Sequence, residues 1–333
     1  PLHLIYLANF YVNPFSLGAG FGGYLLLRRD GHATLIHDDM LPPNVEQAHV
    51  DERRVVDWYD SQAPAHGARQ LAALERVNPG SGGLRFHDRA GDPYASILVN
   101  TIAQMRRRKF PDEIAVMRHC MAATEAGHAW ARQNIRAGMT ELDMYRGVAS
   151  ECTHAAGQPV IVYGDFAVCT GPERKGGPPT QRVLEPGDMF ILDFSVVING
   201  YRSDFTNTLV VDREPSADQM GLYRACLAAL KAGEVELRAG NGCKTVYDAV
   251  YTAFENLGTA QHFPHHAGHG LGLSHPEAPY LVRHATESLK ENDIITLEPG
   301  LYVSGIGGIR IERNYLITAK GYECLSNHEI ALR

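Results

Sequence analysis

The six cysteines of this chain (Cys120, Cys152, Cys169, Cys226, Cys243 and Cys324) include no C-x-x-C pair. That density is too low for a disulfide scaffold, so most of these thiols read as small buried hydrophobes, kept reduced in a cytoplasm. No run of 18 apolar residues occurs, which excludes a helix spanning a membrane. Positive charge is also short. A net charge of −7 argues against a general nucleic-acid binder, which needs a basic surface. The basic run Arg106-Arg107-Arg108-Lys109 is brief and reads as a solvated helix start or linker. Neither a P-loop lysine motif nor G-x-S-x-G is present. Gly18-Ala19-Gly20-Phe21-Gly22-Gly23 fits G-x-G-x-x-G, but strand-like Tyr24-Leu25-Leu26-Leu27 follows where a dinucleotide site needs a helix. Numbering begins at Pro1 without methionine, so a removed leader or a trimmed start stays open.

What is present is ordinary in bulk: 333 residues, 44% apolar and 21% charged, enough for two domains or one large one. Residues 1 to about 100 read as a first α/β unit. In it, Gly23–Leu27 and Thr34–Ile36 flank an Asp30-Gly31 hairpin turn. Val50–Tyr59 and Gly67–Val77 read as helices, Leu84–His87 as a short strand and Asp88–Tyr94 as a loop. Pro111-Asp112-Glu113 opens a long helix that Gly138 ends. Thr140 with Asp143 starts a second helix and Ser216 with Gln219 a third, running to about Leu237. Val246–Leu257 gives a fourth, and strands and turns follow His262. Helix, helix, strands, helix, helix, strands is an α+β order, with helices covering a mostly antiparallel sheet. The two ααβ halves suggest an internal structural duplication.

The chemistry gathers in the carboxyl-terminal half. Asp193 lies in MFILDFSVVI and Asp204 in YRSDFTNTLVV, with Asn199-Gly200 between them, a strong hairpin signal. If Asn199 and Gly200 form the loop, Ile198 pairs with Tyr201, Ser195 with Asp204, and Asp193 with Thr206. Alternation along a strand then points both carboxylates to one face, about 7 Å apart at the backbone. Like charges so placed are costly unless a cation lies between them. His269 sits in a glycine-rich run with four histidines from 262 to 269. Glu298, before Pro299-Gly300, and Glu312, after Arg310-Ile311, end or interrupt apolar β-like runs. Each glutamate alone reads best as a solvated strand end, or Glu312 as the partner of a nearby arginine, and His269 alone as a surface or core residue. Together, four carboxylates and one imidazole describe a hard, oxygen-rich site that two dications would balance. Manganese leads among the candidates, with cobalt, iron and zinc as alternatives.

At these residues the chain resembles the pita-bread metallopeptidases: Xaa-Pro aminopeptidases, prolidases and methionine aminopeptidases, with creatinase as a metal-free relative. An Asp, a second Asp eleven positions on, Gly-His-Gly-Leu-Gly, Glu-Pro-Gly and Arg-Ile-Glu occur in the family's order. The resemblance implies a pita-bread catalytic domain over 109–333, preceded by a smaller creatinase-type α/β domain over 1–108. It implies a homodimer. Asp193 would chelate one metal, His269 and Glu298 the other, and Asp204 and Glu312 both. A bridging water would attack the substrate carbonyl, with Glu298 handling its proton. His265 and His275 would orient the scissile group and stabilise the oxyanion. Arg310 would pin a carboxylate behind the ligands, with Thr206 beside it. The implied activity is Xaa-Pro aminopeptidase or dipeptidase, acting on short peptides.

Departures from the family pattern keep other readings open. Where these peptidases have a histidine about 17 residues before the first Asp, this chain has Gly176, and no histidine lies between His154 and His262. Lys175 or Arg174 could substitute. The step from His269 to His275 is one residue short, Asn207 replaces an arginine, and Arg313 stands where an acid is common. One alternative is a non-peptidase C–N hydrolase acting on a small creatine-like or cyclic amide compound. Another is a catalytically weak binding protein. Tyr302 and Arg283 are candidates for shaping the substrate pocket.

Overall fold

The computed structural model describes residues 2–15, 22–38, 45–56 and 93–333, with only the backbone at 93 and 94. The expected helix Gly67–Val77, strand Leu84–His87, most of the loop Asp88–Tyr94 and most of the Gly18–Gly23 run lie outside the described residues. Contacts divide the chain into Pro1–Thr101 and Ile102–Arg333.

In the first unit a helix α1 (Leu2–Ala8) accompanies a sheet in the order β1 (Gly23–Leu27), β2 (Ala33–Asp38), β3 (Glu52–Val56). β1 and β2 form the antiparallel hairpin expected at Asp30-Gly31. Its small core is Ala8, Phe10, Leu35, Val45 and Ala48. The helix expected over Val50–Tyr59 is not there: Glu52–Val56 is a strand running parallel to β2. The helix-compatible Glu-Arg-Arg loses to a backbone ladder and the β-branched Val55-Val56. Arg53 closes the turn before it, donating from Nε to the Val45 carbonyl at 3.0 Å. A helix α2 (Pro93–Arg107), unanticipated from the sequence, carries the chain across the division between the units.

In the second unit, α3 (Pro111–Asn134) begins at Pro111, with the Glu113 carboxylate accepting from the Phe110 amide at 2.8 Å. It ends four residues before Gly138. α4 (Glu141–Ala156) has the expected capping box: Thr140 Oγ1 accepts from the Asp143 amide at 3.0 Å, and Asp143 accepts from the Thr140 amide at 3.0 Å. These helices pack on a sheet of β4 (Ile161–Val168), β5 (Met189–Ile198), β6 (Tyr201–Arg202) and β7 (Phe205–Val210). A second pair follows: α5 (Ala217–Val235), capped by Ser216 and Gln219, and α6 (Cys243–Asn256), which starts three residues before Val246. The pair shares one core with Leu297, Leu301, Ile309 and Tyr315 of the later strands and with Ile311 between two of them. Those strands form a five-stranded sheet in the order β14 (Tyr322–Cys324), β13 (Arg313–Ile317), β10 (Ile294–Leu297), β8 (Gly268–Gly270), β9 (Glu277–Leu281). A separate hairpin joins β11 (Gly300–Val303) and β12 (Gly307–Arg310). The ααβ order thus occurs twice, as the sequence suggested.

The basic run before α3 is not a solvated linker. Arg107 and Lys109 are 1% exposed and Arg106 is 8% exposed. Arg107 forks onto Asp293 and also reaches Glu287 at 2.7 Å. Arg106 and Lys109 both pair with Glu277, Lys109 at 2.6 Å. Buried cations persist only when paired and hydrogen-bonded, and these are. They tie the start of the second unit to its last sheet.

Candidate metal centre

The Asp hairpin has the expected register. Ile198 pairs with Tyr201, Phe194 with Phe205, and Asp193 with Thr206. Asn199 (φ 51°) and Gly200 (φ 86°) are both left-handed, as the tight loop between twisted strands requires. Asp204 lies just before β7, with its Oδ1 accepting from Ser195 Oγ at 3.3 Å. Asp193, Asp204 and Glu312 have carboxylate oxygens within 4.8 Å of one another.

The later strands deliver the rest. His269 is the middle residue of β8, 3% exposed. Its Nδ1 lies 2.9 Å from the Gly270 carbonyl. A carbonyl only accepts, so Nδ1 carries the proton and Nε2 keeps its lone pair. Nε2 is 3.5 Å from Asp204 Oδ2 and 3.4 Å from Glu298 Oε1. Glu298 follows β10, braced by Thr296 Oγ1 at 3.1 Å and by its own amide on the Ala267 carbonyl at 2.8 Å. Glu312 sits between β12 and β13. Its amide donates to the Thr206 carbonyl at 3.0 Å, and its Oε2 accepts from Thr206 Oγ1 at 2.6 Å. All five acids and imidazoles singled out in the sequence therefore converge.

Around them is a shell of supporting contacts. Arg310, at the end of β12, bonds through Nη2 to both Asp193 and Asp165 and through Nη1 to Tyr302 Oη at 3.0 Å. Asp165 lies opposite Asp193 across β4 and β5. Tyr302 Oη is 3.2 Å from His265 Nε2, whose Nδ1 donates to the His266 carbonyl at 2.8 Å. His265 Nε2 is thus an acceptor and Tyr302 its donor. His275 Nε2 bonds Asp204 Oδ2 at 2.9 Å, and its Nδ1 meets Tyr163 Oη at 3.2 Å. Tyr163 in turn accepts from Arg202 at 2.8 Å. Asn314 clamps the Asp204 backbone from both sides, through its amide carbonyl and its amide nitrogen.

Asp165, Tyr163, Asn314, Thr296 and His266 were not singled out in the sequence. Only Thr296 and Asn314 had a usable signal, each two residues from a ligand candidate in an apolar run. Of the other candidates, Arg174 is committed to Glu141 at 2.8 Å. Lys175 Nζ lies 5.9 Å from the centre of the Tyr302 ring. Arg283 sits over the Tyr251 ring instead. Gly176 lies against Asp165, and a Cβ there would come within 2.0 Å of Asp165 Oδ2. Asn207 is buried and bonds Ala331 through both amide atoms, while Arg313 Nη1 donates to the Ser326 carbonyl.

The electrostatics of the cluster fit cations. Burial, then the charges of Asp193 and Asp204, push Glu298 to about 8. Burial pushes Asp193 to about 6 against the pull of Arg310. Glu312 is raised well above the usual range by burial and by Asp204, Glu298 and Asp193. Burial also disfavours charge on Asp204 and His275, but their mutual hydrogen bond outweighs it, lowering the first and raising the second. Glu312 Oε1 is buried without a hydrogen-bond partner. An oxygen so left, beside three more crowded carboxylates and a lone pair on His269, is a donor set suited to divalent cations.

These features define a pita-bread fold with a metal-ligand cluster at the meeting of its two halves. The model of metallopeptidase family M24 matches residues 115–319, and the chain belongs to that family. An "uncharacterized peptidase" of Staphylococcus aureus (strain USA300) is 28% identical over 234 residues, 69% of this chain and 65% of its own length. The chain thus spans about two thirds of that curated relative. Among solved structures, a prolidase from Pyrococcus furiosus superposes with a TM-score of 0.75 at 21% identity, covering 99% of this chain and 95% of that one. An X-Pro aminopeptidase from Thermotoga maritima gives 0.77 at 23% identity, covering 98% and 92%. Likeness at these identities establishes the fold.

Proposed function

We propose that the chain is a dinuclear-metal peptidase acting on short peptides, an Xaa-Pro aminopeptidase or Xaa-Pro dipeptidase. The observation that carries this reading is the convergence of Asp193, Asp204, His269, Glu298 and Glu312 around the unpartnered Glu312 Oε1. Asp193 would hold one cation, His269 and Glu298 the other, and Asp204 and Glu312 would serve both. Manganese leads, with cobalt, iron or zinc as alternatives. Cations bound there would polarise a carbonyl and acidify water.

The chain's own groups do the rest. Burial and the neighbouring acids raise Glu298 to about 8 in the metal-free chain; with cations bound its carboxylate form would be favoured, and would take a proton from the attacking water. His275 is favoured as imidazolium by Asp204, which takes its Nε2–H in the metal-free chain; with Asp204 engaged by cations, that donor would be free for a developing oxyanion. Neutral His265, pushed to about 3 by burial, acts as an acceptor and orients the substrate with Tyr302. Arg310 holds Asp193 in place. The family resemblance supports residues 1–108 as a separate amino-terminal domain and a homodimer, and the free cysteines fit a cytoplasm.

Gly176 favours one second reading, a hydrolase of a small creatine-like or cyclic amide compound. Manganese-loaded protein assayed with Xaa-Pro dipeptides, Xaa-Pro tripeptides and creatine-like compounds separates the two. Turnover of a proline peptide, abolished in Glu298→Gln, is expected. Turnover only of the small amides would replace the peptidase reading.

A further inference from the structure

His266 stands beside the cluster without a role in the reading above, on which this inference rests. Its ring is 40% exposed, yet its Nδ1 is buried and has no hydrogen-bond partner. That nitrogen lies 3.4 Å from Glu298 Oε1. His269 Nε2 lies 3.4 Å from the same oxygen. Two donors on one tetrahedral zinc, each about 2.0–2.1 Å from it, are about 3.3–3.4 Å apart. Each separation matches that edge, and the two share Glu298 Oε1, with the His266 and His269 ring centres 5.5 Å apart. The adjacent His265 does not compete, because its Nδ1 is bonded to the His266 carbonyl and its Nε2 to Tyr302. The carbonyl bond also fixes the loop that aims the His266 ring at Glu298.

We propose that His266 is a further metal ligand, through Nδ1, at the position held by His269 and Glu298. That position then adds a second imidazole near Glu298, whereas Asp193, Asp204 and Glu312 offer oxygen alone. Imidazole donors suit zinc, iron and cobalt, and carboxylates suit manganese and magnesium. The two positions therefore differ in metal preference, and the chain takes up one borderline-soft ion before a hard one.

The test uses the full chain stripped of metal. Zn²⁺ and Mn²⁺ are titrated separately against a chromophoric chelator, and Cu²⁺ is added at one equivalent for electron paramagnetic resonance. The unaltered chain should bind a first Zn²⁺ more tightly than Mn²⁺ and show two coupled nitrogens in the Cu²⁺ spectrum. His266→Ala should weaken the first Zn²⁺ by about tenfold or more, leave one coupled nitrogen, and leave Mn²⁺ affinity within about twofold. His266→Gln, which preserves side-chain bulk, should behave like His266→Ala if the lost group is a ligand. Unchanged Zn²⁺ affinity and nitrogen coupling in both variants would overturn the inference alone. Failure of the unaltered chain to take up either metal would overturn the dinuclear reading as well.

Discussion

At the residue scale, the cluster is a set of charges that the metal-free fold tolerates only by holding protons. Glu298 at about 8 and Glu312 above the usual range bind protons in the folded state that the unfolded chain has released. Stability from a raised pKa is present at low pH and lost as pH climbs toward the folded value. The buried histidines with lowered pKa values, such as His265 and His266, act oppositely, but only below about 6.5. Between about pH 6.5 and 8 the metal-free protein should therefore lose on the order of 2 kcal/mol through Glu298. Thermal melting of chelator-treated protein across that window should show the fall, and Glu298→Gln should lessen it, the raised Glu312 and His275 carrying what remains. With metal and substrate, the same variant should lose about 10²–10⁴-fold in kcat.

Gly176 and Asp165 form a second residue-scale couple. Asp165 is held by Arg310 and by the Gly177 amide at 2.9 Å, so it cannot yield freely to a Cβ that would sit 2.0 Å from its Oδ2. Gly176→Ala should cost about 1–3 kcal/mol. Asp165→Ala in the same chain should remove most of that increment, a non-additivity that a double-mutant cycle in urea would read.

At the scale of elements, ion pairs over long sequence separations join the start of the second unit to its final sheet. Arg107 is 186 residues from Asp293, and Lys109 is 168 from Glu277. Arg107→Leu leaves Asp293 buried without its partner and should cost about 3–5 kcal/mol in urea unfolding. Adding Asp293→Leu should recover part of that loss. These same residues show where sequence reasoning stops. Four consecutive cations look solvated from their neighbours alone, and only distant acids make three of them core. Asp193 and Asp204 were legible because their spacing is set by one local hairpin. Asp165 and Tyr163 were not, since a separate strand brings them in by register. Capping at Thr140 and Ser216 was legible for the same local reason, while the Val50–Tyr59 helix gave way to a ladder with β2 that local propensity does not encode.

At the scale of the whole molecule, two ααβ halves meet so that one supplies Asp193 and Asp204 and the other His269, Glu298 and Glu312. Cations bound between them would link the halves in the folded state only. At a free metal concentration about 100 times Kd, each should add about 2.7 kcal/mol. Chelation should therefore lower the melting temperature, and manganese should restore it. The most direct measurement is anomalous diffraction from crystals grown with manganese. Two peaks about 3.5–4 Å apart are expected, contacted by Asp193, Asp204, His269, Glu298 and Glu312. No peak among these five side chains at full manganese loading, or peaks held only by other residues, would contradict the metal centre and the peptidase reading built on it.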